Sequence, residues 1–312
     1  MAKNDNLRRA KKAKNDEFYT DINDIIMELA QHKDYVRQFQ GKTVLCNCDD
    51  PESSAFVEFF RKFYPKFGLK KMIATHYNRD GSPSYKLEWE GEKLKGDTVN
   101  MVKTPLEGNG DFRSPECIEL LKEADIVVTN PPFSLFREYV DILEKYHKDY
   151  VIIGSLNAIS YKEIFPLLRS GRISMGYGHP KEFFRPDGTK KKFGNICWYT
   201  TLDLRKRHEP LTLTKNYHSN EARYPHYDNY DAIECGKVDY IPKDYGGAIG
   251  VPITYMAHHC QEQFEILDAR DFALNEKQHN KKTMLIKDAD GAICGKPVYA
   301  RILIRRIPGS PE

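Results

Sequence analysis

The chain has 312 residues, 40% hydrophobic and 30% charged, with a formal net charge of +3. That length holds one large α/β domain with an appended lobe, or two domains, and the modest charge leaves any nucleic-acid affinity to local patches. No apolar run is long enough to span a bilayer, and the polar, basic first residues contain no secretory h-region, so a cytoplasmic protein without membrane association is expected. The seven cysteines lack metal-type pairing and read as reduced thiols.

Residues 1–15 form a basic arm with Arg8, Arg9, Lys11 and Lys12 among its cations and no apolar periodicity. Such an arm either lies along phosphates or stays solvated. Ile22, Ile25, Ile26, Leu29, Tyr35, Val36 and Phe39 read as one helical face stopped by Gly41, and Phe18 and Tyr19 ahead of it can staple its start. Residues 42–48 read as a first strand with Val44 and Leu45 buried. Asp49, Asp50, Pro51 and Ser54 then turn the chain into a helix over 55–63. The two aspartates either cap that helix or hold an ammonium or ribose group, and the scarcity of glycine argues against a pyrophosphate-binding dinucleotide enzyme. Residues 71–77 suit a second strand, and 78–92 a hairpin insertion turning at Asp80-Gly81.

Gly108 to Arg113 is a turn before a helix opened by Ser114-Pro115-Glu116. There Asp111 can accept from an adenine amino group while Phe112 covers the ring, or can simply stabilise the turn. Ile126, Val127 and Val128 then read as a buried parallel strand, ended by Asn130-Pro131-Pro132-Phe133 because neither proline can donate to a ladder. Ligands of open α/β sheets bind at that end of a strand. Two prolines hold the backbone extended, so the Asn130 side-chain oxygen and the Pro131 carbonyl can converge as fixed acceptors beside the Phe133 ring. Two acceptors and an aromatic face suit a planar ring carrying an amino group, although Asn and Pro also serve ordinary turns.

A helix over 134–146 and a strand over 150–154 follow, and 196–202 reads as an antiparallel edge strand. Strand and helix alternation over 42–175 predicts a doubly wound, Rossmann-like sheet. Between these strands, 181–195 interleaves Phe183, Phe184 and Phe193 with Arg185, Lys190, Lys191 and Lys192. It reads as a hairpin that either contacts a DNA backbone or presents solvated lysines. Beyond residue 205 the sequence turns rich in Tyr, Asn, Pro and Gly and suits a recognition lobe, with Arg301, Arg305 and Arg306 on phosphate or in water. His258 and His259 lack ligand partners, so no metal site is expected.

The segments 16–20, 46–56, 110–139, 241–255 and 298–306 together resemble the EcoRI-type adenine-specific DNA methyltransferases over nearly the whole chain. The resemblance implies a methyltransferase sheet over 16–204, a C-terminal recognition lobe over 205–312, double-stranded DNA as partner and S-adenosylmethionine as cofactor. It implies that Phe18, Tyr19 and Thr20 cover the methionine end of that cofactor, with Asp49, Asp50, Pro51, Asp111 and Phe112 completing its pocket. Asn130, Pro131, Pro132 and Phe133 become the catalytic residues, acting on an adenine flipped out of the duplex. A monomer is expected, with a cognate restriction nuclease acting separately. Other readings are an amino-methyltransferase acting on RNA or a protein glutamine, a catalytically silent DNA-binding protein, and a nucleotide-dependent oxidoreductase.

Overall fold

The computed structural model describes residues 19–90, 101–184, 189–287 and 290–311. They form two compact units. One contains the described chain to Leu156 together with Met175–Asp203, and the other contains Asn157–Ser174 and the chain from Leu204 onward.

In chain order the strands up to residue 200 are β1 (Tyr19–Thr20), β2 (Thr43–Cys46), β3 (Lys71–Thr75), β4 (Tyr85–Glu90), β5 (Val102–Pro105), β6 (Ile126–Thr129), β7 (Asp149–Ser155), β8 (Ser174–Met175), β9 (Glu182–Phe184), β10 (Lys190–Lys192) and β11 (Ile196–Thr200). Eight of them form one sheet in the order β5-β4-β3-β2-β6-β7-β11-β8. The central four, β3, β2, β6 and β7, are parallel. Their order shows a reversal: from β2 the chain moves out to β3, then returns to place β6 on the other side of β2. The carboxyl ends of β2 and β6 therefore flank a topological switch point, where connections leave in opposite directions and where open α/β sheets bind their ligands.

Strands β2, β6 and β7 are almost wholly buried, as a parallel sheet covered on both faces requires. The helix Ala55–Phe67 buries Phe56, Val57, Phe59, Phe60, Tyr64 and Phe67. Ser54 caps it by accepting from the Val57 amide, and Gly68 ends it with a left-handed φ of 56°. It runs past the predicted end at Phe63 because Pro65 falls near its last turn, where little of the helix remains to be disrupted.

The single helix expected through Phe39 is two, Ile22–Leu29 and Tyr35–Phe39. Asp34, in the left-handed conformation at φ 47°, breaks them apart. Glu28, fully buried on the first, accepts from the Tyr177 and Gly178 amides at 3.1 and 2.6 Å and ties that helix to the chain after β8. The strand β11 is antiparallel to β7, as expected. It is not the sheet's edge, since β8 lies beyond it. Strands β1, β9 and β10 form a separate three-stranded antiparallel sheet with β9 in the middle.

In the second unit, β12 (Ile233–Glu234), β13 (Ile249–Pro252), β14 (Phe264–Leu267) and β17 (Arg301–Arg306) form a sheet ordered β12-β13-β17-β14. A short hairpin, β15 (Ala292–Ile293) with β16 (Lys296–Pro297), precedes the last strand. The three C-terminal arginines all have protein partners. Arg301 pairs bidentately with the buried Glu234, which also accepts from the Tyr227 hydroxyl. Arg305 pairs with Glu265 at 2.6 Å, and Arg306 donates to the Lys243 carbonyl and to Ser310.

One close approach fixes the loop that carries Asp111. Gly110 has φ 78°, and a Cβ there would lie 1.8 Å from the His76 carbonyl oxygen. Backbone bonds from Asn78 N to Asn109 O (2.8 Å) and from Ser84 N to Gly108 O (2.9 Å) hold the two loops together. Gly110→Ala must therefore both strain the backbone and push the loops apart, and we expect a loss of about 2–4 kcal/mol in urea unfolding. An unchanged unfolding midpoint would show that the loops are not held in this contact.

Candidate active site

The sequence motifs converge at the carboxyl end of the parallel strands. Val44 and Leu45 of β2 pair with Ile126 and Val127 of β6, so the turn after Cys46 and the turn after Thr129 leave the sheet side by side. The Cys48 amide donates to Thr129 Oγ1 at 3.2 Å and joins them directly. Asn130 follows and is 5% exposed. Pro131 is buried, and Phe133 is half-buried in a single 3-10 turn that leads into the helix Phe136–Lys145.

That helix supplies a residue that the sequence reading treated only as packing. Tyr139 is buried, and its hydroxyl donates to Asn47 Oδ1 at 2.5 Å. Its ring meets Phe112 edge-on, with centroids 5.0 Å apart. Tyr139 thus ties the β2 turn, the Asp111 loop and the helix after Asn-Pro-Pro-Phe together. Local periodicity marks it as apolar, and its polar partner, 92 residues away, leaves no local signal.

The residues of the β2 turn have distinct surroundings. Asp49 is buried at the start of the helix Ala55–Phe67 and accepts from Ser54 Oγ at 3.1 Å. Asp50 accepts from the Glu52 amide at 3.1 Å and from the Tyr85 hydroxyl at 3.3 Å. Pro51 is buried beside it. Ser54 caps the helix, and the buried Asp49 carboxyl group stands just ahead of the same helix N-terminus. Burial, reinforced by Asp49, pushes the Cys46 thiol well up, and burial also raises Cys48. Both stay protonated at neutral pH and are poor nucleophiles.

Asp111 stabilises its own turn. Its Oδ1 accepts from the Arg113 amide and Nε at 2.9 and 2.8 Å, and its Oδ2 accepts from a terminal nitrogen of the same guanidinium at 2.6 Å. That guanidinium holds the Asp111 carboxyl below the usual carboxylate range. A carboxylate offers about four acceptor sites, so the Arg113 contacts leave acceptor capacity on Oδ2.

Phe18, Arg8, Arg9, Lys11, Lys12 and Arg185 lie outside the described residues. Tyr19 and Thr20 form β1, which pairs with β9 in the register Tyr19 to Phe184 and Thr20 to Phe183 and touches the helix Ala55–Phe67. The Thr20 hydroxyl is buried and has no hydrogen-bond partner among the described residues. Of the hairpin lysines, Lys190 and Lys192 pair with Glu182 at 3.3 and 2.9 Å, and the Lys191 ammonium lies 4.7 Å from the Phe193 ring centre. Surface pairs of this kind are weak and exchange readily for another anion.

Other polar groups lie near this turn. His76 stacks on Tyr85 at 5.0 Å, and Lys103 sits 3.7 Å from the Tyr85 ring centre while pairing with Glu52 at 2.6 Å. These groups surround Asp50, and Lys103 comes from β5, a strand that alternation had not revealed.

Residues 6–307 match the family model described as "Adenine-specific methyltransferase EcoRI". The chain is 41% identical to the Type II methyltransferase M.EcoRI of Escherichia coli, covering 97% of each sequence. It is 37% identical to M.MpnI of Mycoplasma pneumoniae and 36% identical to M.MgeORF184P of Mycoplasma genitalium, each over 96% of this chain and 98% of the relative. No solved structure matches significantly. With a mixed α/β sheet, a switch-point site and a family match over nearly its full length, the chain belongs to the EcoRI adenine-specific methyltransferase family.

Proposed function

We propose that this chain methylates the exocyclic amino group of one adenine, flipped out of duplex DNA, and that Asn130 to Phe133 carry the chemistry. The observation that supports this most is the position of Asn-Pro-Pro-Phe: it leaves β6 at the switch point, bonded through Thr129 to the turn that bears Asp49 and Asp50. The first unit carries the reaction in this reading, and the second recognises the target sequence. In this reading, a cognate restriction nuclease acts as a separate protein.

S-adenosylmethionine is the methyl donor of this reading, and when bound it supplies an electrophilic methyl group on a sulfonium centre. The residues present fit it. The Asp49 carboxylate suits an ammonium or ribose hydroxyl, the buried Thr20 hydroxyl has hydrogen-bonding capacity, and Asp111 with Phe112 suits an amino-bearing ring.

Adenine's amino lone pair is delocalised into its ring and is a poor nucleophile. The Asn130 side-chain oxygen and the Pro131 carbonyl, both accepting from the amino group, draw that nitrogen toward tetrahedral geometry and aim its lone pair. Because the prolines pre-set the backbone, little reorganisation accompanies the reaction. Neither acceptor is a strong base, so the proton released on methyl transfer passes to water. Phe133 stacks on the everted base and offsets lost base stacking. No protein nucleophile is needed, in keeping with the protonated state of Cys46 and Cys48.

Asn130→Ala should lower kcat on duplex DNA by about 10²–10³-fold or more, while calorimetry finds cofactor affinity nearly unchanged. A fully active variant would remove Asn130 from the mechanism, and methylation of RNA or protein in place of duplex DNA would change the substrate assignment. Tyr139→Phe removes the bond that anchors Asn47 and should weaken cofactor binding by about tenfold, read by calorimetry, with a smaller effect on kcat at saturation. Unaltered affinity would separate Tyr139 from the cofactor pocket.

A further inference from the structure

The hairpin of β9 and β10 reads from its sequence as a DNA contact or as a carrier of solvated lysines, and in the structure its phenylalanines make a specific contact of their own. The Phe133 ring centre lies 6.4 Å from that of Phe183 and 5.8 Å from that of Phe193, with interplanar angles of 90° and 86°. Phe183 and Phe193 are themselves 5.5 Å apart at 81°. Each ring is thus edge-to-face with the other two, so no ring can turn far about its own axis without colliding with a neighbour.

The two hairpin rings are well held. Phe183 is fully buried on the middle strand of the three-stranded sheet, flanked by β1 through the Thr20 register and by β10 through Lys191. Phe193 is half-buried just beyond β10, and its amide donates to the Lys181 carbonyl at 2.9 Å, closing the hairpin. Phe133 lies on a different element and has entered the triad from the β6 turn.

We propose that Phe183 and Phe193 are positioning residues that set the plane of the Phe133 ring, and with it the orientation of the adenine that stacks there. The proposal rests on the function given above. It assigns the hairpin a role separate from phosphate contact: a stacked base follows the plane of its platform, so a tilted Phe133 would turn the amino group away from Asn130 and Pro131. Misplacement of a reacting atom by about 1 Å can cost on the order of 10²-fold in rate, whereas stacking itself tolerates tilt.

The test compares Phe193→Ala, Phe193→Leu and Phe193→Tyr with the full-length wild type on a duplex containing the mapped target. Phe193→Leu fills the space without a ring and keeps the test open if Phe193→Ala does not fold. A second duplex carries 2-aminopurine at the target adenine, so that its fluorescence reports both eversion and the stacking that quenches it. The Ala and Leu variants should lose about 10- to 100-fold in kcat and show altered 2-aminopurine emission, with duplex affinity within about twofold of wild type. Phe193→Tyr should restore both. Equal kcat and emission in Phe193→Leu and wild type would overturn the positioning role while leaving the proposed function standing. A wild type that neither methylates the duplex nor everts the base would overturn both.

Discussion

The parallel pairing of β2 with β6 is the constraint on which the rest of the site depends. Because Val44 and Leu45 lie beside Ile126 and Val127, the turn with Asp49 and Asp50 and the turn with Asn130 and Phe133 leave the sheet at the same end. The reversal of strand order in the sheet then puts its switch point between them. Slipping one of the two strands by a single residue would turn that strand's side chains to the opposite face. The buried β-branched and aliphatic residues of these strands therefore fix a functional geometry as well as a core.

Around that pair, elements distant in sequence act as spacers. Tyr139 bonds to Asn47 and packs on Phe112, so one buried side chain sets the distance between two candidate cofactor loops. Gly110 allows the Asp111 loop to lie against His76 without an intervening Cβ. On the other side, β1 and the β9–β10 hairpin bring Thr20, Phe183 and Phe193 toward Phe133. The region expected to hold the methyl donor and the region expected to hold the base thus share structural members.

Local patterns made much of this legible. Proline chemistry ended β6 where the structure ends it, apolar runs located β2, β3 and β7, and a glycine-poor turn set the site apart from dinucleotide folds. What stayed hidden was non-local. The Tyr139 hydroxyl, the Arg113 clamp on Asp111 and the protein partners of Arg301, Arg305 and Arg306 depend on which segments meet, and hydrophobic periodicity does not encode that. Asp34 also split an apparently continuous apolar face into two helices by adopting a left-handed conformation that no glycine announced. Strand β5 escaped notice because its side chains are largely exposed and carry no alternation.

The central claim is that two fixed oxygen acceptors and an aromatic ring at a sheet switch point hold an adenine for direct methyl transfer. Mapping modified bases in the DNA of cells that express this chain tests it most directly. The account predicts N6-methyladenine at one recurrent short sequence and at no other adenines; DNA without added methyl groups, or methyl groups on cytosine, would contradict it.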